Sequence, residues 1–380
     1  MVMLAPACST QIHAEDASIL DGIVSDDAYV IDTDNDQVLA SKNADTRMYP
    51  ASMTKIMTGI LAIEKLTDLD QKITITNEMI DGLAEAEASV AGFQIGDTPT
   101  VRDLLYGCAL PSGADAANAL AIASYGSLTN FVQAMNQKAA ELGLTNTHFM
   151  NPTGLHDDDH YSTTKEIAQL LRYCLKNETF TQVYSAASYT TTSLSSAPAG
   201  IVLNSSSKNI ANLTYQIPEM IGAKSGYTPE AGHCLASWDT VNNMHLIIVT
   251  AHADTGMYSS QHIVDLATIM THLRNYYPET IVSTSDSLKD ITLNYLFHTS
   301  IQQINPDDDV IVDAASDDAV TYETDLPDEI AVANTEQIVP YTITIKINGT
   351  MIKEIHSSFK VSPDTNFFTR ILRSMINLFQ

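Results

Sequence analysis

The stretch Tyr49-Pro50-Ala51-Ser52-Met53-Thr54-Lys55-Ile56-Met57-Thr58 constrains this chain more than any other. Pro50 suits the mouth of a helix, and Ile56, Ile60, Leu61 and Ile63 follow at helical spacing. Ser52 and Lys55, three apart, then share one helix face with their side chains in reach of each other. A serine hydroxyl is a poor nucleophile until a neighbouring base takes its proton. A lysine serves as that base once burial or a second cation lowers its pKa.

The Ser-x-x-Lys pattern recurs along the chain, so its surroundings must decide. Ser162/Lys165 sits where Thr163 and Glu166 read as a capping box opening an ordinary helix. Ser205/Lys208 lies in the polar run Asn204-Ser205-Ser206-Ser207-Lys208-Asn209, with no periodic apolar stretch behind it. Only Ser52/Lys55 opens a long apolar helix.

The 380 residues suffice for a sizeable core and suggest two domains. A net charge of -27 argues against nucleic acid as partner, because polyphosphate would be repelled. The four cysteines, Cys8, Cys108, Cys174 and Cys234, have no metal-like spacing, and Cys108 and Cys234 read as buried small hydrophobes. Residues 1–8 are too short for a full secretory signal and read as the remnant of one or an added start. The cluster His156-Asp157-Asp158-Asp159-His160 reads as a polar surface loop rather than a metal site, and no cofactor is implied.

Along the chain, residues 28–32 and 37–40 flank an Asp/Asn-rich turn and read as a β-hairpin. A short strand is expected near residues 72–76. Helices are expected from Val101, from Asp115 to about Ala123, from Leu128 to Leu142 and from Thr163 to Leu175. From Ile221 the pattern turns β, and a helix over about 260–273 closes this part. Strands at both ends of a helical block predict an α/β domain with a mostly antiparallel sheet over 18–278. Residues 279–362 predict a small all-β domain, with Asn348-Gly349 as a hairpin turn. Its acidic segment 307–329 reads as a solvated face or mobile loop. In 363–380, Phe367, Phe368, Ile371, Leu372, Met375, Ile376, Leu378 and Phe379 lie along a wide apolar face opposite Arg370 and Arg373. That pattern predicts an amphipathic helix lying in a membrane surface through residues 366–380.

Two further motifs follow Ser52-x-x-Lys55 in order: Ser112-Gly113-Ala114, and Lys224-Ser225-Gly226, the single Lys-[Ser/Thr]-Gly of the chain. With Asp103-Leu104-Leu105-Tyr106-Gly107, Asn151-Pro152-Thr153-Gly154-Leu155 and Lys224-Ser225-Gly226-Tyr227-Thr228, the chain resembles the serine-type D-alanyl-D-alanine carboxypeptidases over residues 27–275. These are the low-molecular-mass penicillin-binding proteins of peptidase family S11. The resemblance implies a penicillin-binding-protein/β-lactamase-like transpeptidase domain, followed by the small β-domain and the terminal amphipathic helix. It implies an enzyme that removes the terminal D-alanine of peptidoglycan stem pentapeptides through an acyl-enzyme and is inhibited by β-lactams. The expected location is outside the cytoplasm, on the outer face of the bacterial cytoplasmic membrane. Ser52 would be the nucleophile and Lys55 its base, kept neutral partly by the charge of Lys224. Ser112 would relay the proton to the leaving amine. Lys224 and Ser225 would hold the substrate carboxylate, and Gly226 and Tyr227 would continue the binding strand. The backbone N–H groups of Ser52 and Tyr227 would form the oxyanion hole.

The chain departs from the family at Ala114, where an asparagine is usual; Asn118, one turn on, is a candidate substitute. No arginine stands in the helix after residues 246–250, where some relatives bind the carboxylate. A D,D-endopeptidase or a catalytically weak penicillin-binding scaffold therefore stays open as the alternative. A class A β-lactamase is disfavoured, because none of Glu141, Glu166, Glu178 and Glu219 begins the Glu-x-x-Leu-Asn pattern that activates a deacylating water.

Overall fold

The computed structural model describes residues 11–12, 16–253, 255–296, 298–333 and 335–363. The chain divides into two units, one spanning Asp16–Asn275 and one formed from Tyr276 onward together with the N-terminal residues.

In the larger unit, five antiparallel strands form one sheet. These are β1 (Asp27–Asp32), β2 (Val38–Lys42), β3 (Met220–Thr228), β4 (Gly232–Val241) and β5 (Met244–Ala253), in the order β2-β1-β5-β4-β3. The run Leu246-Ile247-Ile248-Val249 is wholly buried, as a central strand covered on both faces requires. Helix Thr164–Cys174 packs on β1 and β5, and helix Gln261–Leu273 packs on β4 and β5. The consequence for function lies at the sheet's end: β3 has a neighbour on one side only.

The helical block is built on α1 (Lys55–Lys65), whose residues from Lys55 to Ile63 are all buried. A helix buried all round belongs in the centre, and α2 (Val101–Ala109) and α3 (Ala114–Tyr125) pack against it. Each fully buried Ile or Leu contributes about 1.5–3 kcal/mol, so α1 is a rigid base for whatever its N-terminus carries. Residues 72–76 form no strand; Lys72 makes a single bridge to Thr100. Thr163 caps the helix Thr164–Cys174 by accepting from the Glu166 N–H. The Glu166 carboxylate does not complete a box; it accepts from Asn146 N and Thr147 Oγ1.

Among the described residues of the smaller unit, the regular elements are all β-strands. Gln337–Ile347 and Thr350–Val361 form a long hairpin through Asn348 (φ 51°) and Gly349 (φ 80°), both left-handed as a two-residue turn demands. Ile291, Val312, Ile345 and Val361 are buried in its core. The acidic segment is sheet rather than loop: it contains strands Val310–Ala315 and Val320–Thr324, and Asp313 is buried. The terminal helix expected over 363–380 lies, but for residue 363, outside the described residues.

Candidate active site

Ser52 sits in a 3-10 turn, Ala51–Thr54, that runs into α1. With three residues per turn, positions i and i+3 eclipse, which superposes Ser52 and Lys55 more closely than an α-helix would. Lys55 Nζ lies 2.9 Å from Ser52 Oγ and donates to the Thr153 carbonyl at 2.6 Å. Burial drives the Lys55 pKa down to about 8, against the opposing pull of Cys108 and Asp115. Once neutral, the amine presents a lone pair to the hydroxyl. Ala51 has φ +45°, costly for a residue with a Cβ, immediately before the nucleophile.

The second amine arrives from β3. Lys224 Nζ donates to Ser112 Oγ at 2.9 Å and to the Ser225 carbonyl at 2.8 Å. Burial first, and the Lys55 charge second, lower its pKa to about 7. Repulsion between two amines is mutual, so each resists the other's charge, and burial is the larger cause at both. Ser112 itself has φ +63° on the turn before α3.

Gly226 explains why the strand can pass so close. A Cβ there would stand 2.8 Å from Ser52 N and 2.9 Å from the Ala51 Cβ. Ser52, Lys55, Ser112, Ser225, Gly226 and Tyr227 line one cleft of about 440 Å³. Lys224, 2% exposed, stands behind that lining and reaches it through Ser112. All seven residues singled out from the sequence are therefore in or directly behind one cleft.

Several contributors were not singled out. The loop Asn151–Leu155 holds the Lys55 amine in place: Asn151 Oδ1 accepts from Thr153 N, Thr153 Oγ1 and Gly154 N, and Thr58 Oγ1 donates to the Pro152 carbonyl. An Asn that folds the next residues onto its own side chain is a recognisable turn signal, and Asn-Pro-Thr-Gly carried it. His160, expected on a surface loop, is buried. Its Nδ1 accepts from Met150 N, so Nε2 carries the hydrogen and donates to Thr54 Oγ1 in the nucleophile turn. Ser207, set aside as part of a polar run, donates to Ser225 Oγ at 2.9 Å, while Ser205 caps the short helix Ser206–Ile210.

Ala114 lines the cleft with no polar side chain to offer. Asn118 does not replace the missing amide; its Nδ2 donates to the Met79 carbonyl, and it borders a separate groove of about 450 Å³ with Leu128, Val132 and Met150. That groove shares Thr153 and Leu155 with the cleft but holds none of Ser52, Lys55, Ser112 or Lys224. Among the described residues, no group of three or more His, Cys, Asp or Glu is arranged to hold a metal ion. The three described cysteines are free and buried.

Comparison with known proteins was consistent with this geometry. Residues 12–255 match the family model described as D-alanyl-D-alanine carboxypeptidase. The chain is 38% identical over 232 residues to the D-alanyl-D-alanine carboxypeptidase DacF of Bacillus subtilis, a match covering 60% of this chain and 57% of that protein. This chain thus spans little more than half the length of that relative. Among solved structures, a Streptomyces DD-transpeptidase superposes with a TM-score of 0.60 at 31% identity, covering 66% of this chain and 97% of that one. Penicillin binding protein 5 from Haemophilus influenzae superposes with a TM-score of 0.69 over 90% of this chain and 98% of that one. At 22% identity this is a likeness of fold alone.

Proposed function

The chain belongs to the D-alanyl-D-alanine carboxypeptidase family of serine peptidases, and from that premise we propose that it removes the terminal D-alanine of peptidoglycan stem pentapeptides. The observation that carries this is a pair of hydrogen-bonded couples, Ser52 with Lys55 and Ser112 with Lys224, at one cleft lined by Ser52, Lys55 and Ser112. Neutral Lys55 takes the Ser52 proton as Oγ adds to the carbonyl of the D-Ala-D-Ala bond. The oxygen that becomes negative is received by the backbone N–H groups of Ser52 and Tyr227. As the C–N bond breaks, Ser112, bonded to Lys224, passes a proton to the leaving amine and takes its replacement from the Lys55 ammonium, which leaves Lys55 neutral again. Free D-alanine departs and an ester remains on Ser52. Water hydrolyses that ester, with Lys55 again as base. The substrate backbone lies along the open edge of β3, adding a strand to the sheet, with its carboxylate toward Ser225 and Lys224.

A β-lactam enters the same chemistry and stays as the acyl group, because the chain lacks the glutamate pattern that would activate water against it. Fluorescent penicillin should label the wild-type protein and not Ser52→Ala. D-alanine release from a pentapeptide should be lost in the same variant. Rapid turnover of penicillin would overturn the reading. Ala114 favours a second one: labelling without release would point to an endopeptidase or a weak penicillin-binding scaffold. The location proposed is the outer face of the cytoplasmic membrane, held by residues 366–380. Their apolar face, two arginines and lack of acids support this.

A further inference from the structure

The wall of the cleft beyond Tyr227 contains a histidine that the chemistry above does not use. His262, in the second position of the helix Gln261–Leu273, is 7% exposed and lines the cleft together with Ser225, Tyr227 and His233. Its Nδ1 is enclosed and has no hydrogen-bond partner, and among the described residues its Nε2 has none either. Buried polar groups are almost always paired, and a histidine kept only for packing would be paired or replaced by an apolar ring. The neighbouring groups are committed elsewhere. Asp265, one turn on, accepts from Val24 N, Ser25 N, Ser25 Oγ and Gln261 Nε2. His233, on β4, stacks on His262 with ring centroids 5.2 Å apart and donates through Nε2 to the Gly256 carbonyl, which can only accept. Tyr227 lies against the other side of this pair, 4.6 Å from the His233 ring.

We propose that His262 is a binding residue for the free carboxylate at the C-terminus of the substrate, completing from the helix side the subsite that Ser225 and Lys224 form on β3. This rests on the peptidase reading of the cleft and names a residue that the three ordered motifs do not contain. A carboxylate supplies what the empty site lacks: an acceptor for an imidazole N–H, and a negative charge that draws a proton onto the ring. Without the ligand, burial above all, with the facing Lys224 amine, holds the ring neutral against the pull of Asp265, with its pKa near 4. The helix carries no arginine before Arg274, so His262 is the group on this element placed to meet the anion.

The test compares one peptide ending in D-Ala-D-Ala with the same peptide ending in a carboxamide. In wild-type protein the kcat/KM ratio should favour the carboxylate. His262→Ala should lower that ratio by about tenfold or more through KM, the size expected for losing a hydrogen bond to a charged group. His262→Arg, which returns a donor to the same place, should recover it. Because both substrates meet the same variant, partial misfolding cancels in the ratio. An unchanged ratio in His262→Ala, or a loss carried by kcat alone, overturns the inference. If wild-type protein acylates with neither peptide and takes up no fluorescent penicillin, the peptidase reading itself fails and this inference with it.

Discussion

Two amines in one buried space cannot both stay charged, and the reaction needs a particular division of protons between them. Lys55 acts as base only when neutral, while Lys224 serves a carboxylate only when charged, so the productive form has one proton on the pair. With the amines depressed to about 8 and about 7, the pair carries one proton between the two values, held on Lys55 in the free enzyme, and the productive form requires that proton to move to Lys224. We expect a bell-shaped dependence of kcat/KM on pH, rising through about 7 and falling beyond about 8. A profile still climbing at pH 10 would remove the Lys224 charge from the reaction. The substrate carboxylate pulls the shared proton toward Lys224 and so frees Lys55. Replacing Lys55 with Met should slow acylation by on the order of 10²–10⁴-fold, the usual worth of a positioned base. Two strained residues stand at the same place. Ala51 at φ +45° and Ser112 at φ +63° flank or carry the reacting hydroxyls. These backbone conformations favour glycine and are tolerated here because packing on both sides fixes them.

At the scale of elements, the site is a junction of three pieces that touch in few ways. The nucleophile turn lies between β3 and the Asn151–Leu155 loop, and both approaches are too close for a side chain. A Cβ at Gly154, whose φ is +79°, would sit 1.9 Å from the Ala51 carbonyl oxygen. Gly154→Ala should therefore destabilise the protein by about 2–4 kcal/mol, read as a lower urea midpoint, and displace Ser52 from Lys55. Asn151→Ala removes the acceptor that folds Thr153 and Gly154 into place. It should cost about 1–3 kcal/mol and slow acylation more than it weakens penicillin binding before acylation, because it loosens the carbonyl that orients the Lys55 amine. If the acylation rate holds while stability falls, the loop is structural only. Periodicity made α2 and Leu128–Glu141 visible, while α3, buried on most of its surface, was visible through its run of alanines. The short helices Glu178–Tyr184 and Ser206–Ile210 have too few turns to show a period, and capping by Asn177 and Ser205 is what defines them.

For the whole molecule, the buried histidines couple folding to pH. His160 has its pKa lowered from 6.5 to about 4 by burial, so the unfolded chain binds a proton there that the folded chain refuses. Stability from this residue is complete above 6.5 and is lost as pH falls toward about 4, by about 3 kcal/mol at most. Asp27 and Asp239 have raised pKa values through burial and act with the opposite sign, losing stability as pH rises. The clean measurement is therefore a difference: the stability advantage of wild-type protein over His160→Gln should shrink as pH drops from 7 to 4. An advantage constant over that range would mean that His160 takes up its proton in the fold.

The sequence by itself singled out the seven residues that the fold brings into or directly behind one cleft, because three motifs in a fixed order around an apolar helix leave few alternatives. It also determined the helix periods and the Asn348-Gly349 turn, which depend only on neighbours along the chain. Only the tertiary structure decided that His160 is buried beneath the nucleophile, that Asn118 turns away to Met79, and that Ser207 and His262 stand in or beside the cleft. Those outcomes depend on partners 18 to 106 positions away in the chain, or on a fit measured in tenths of an ångström. Burial and pairing arise when distant segments meet, and no local pattern records them.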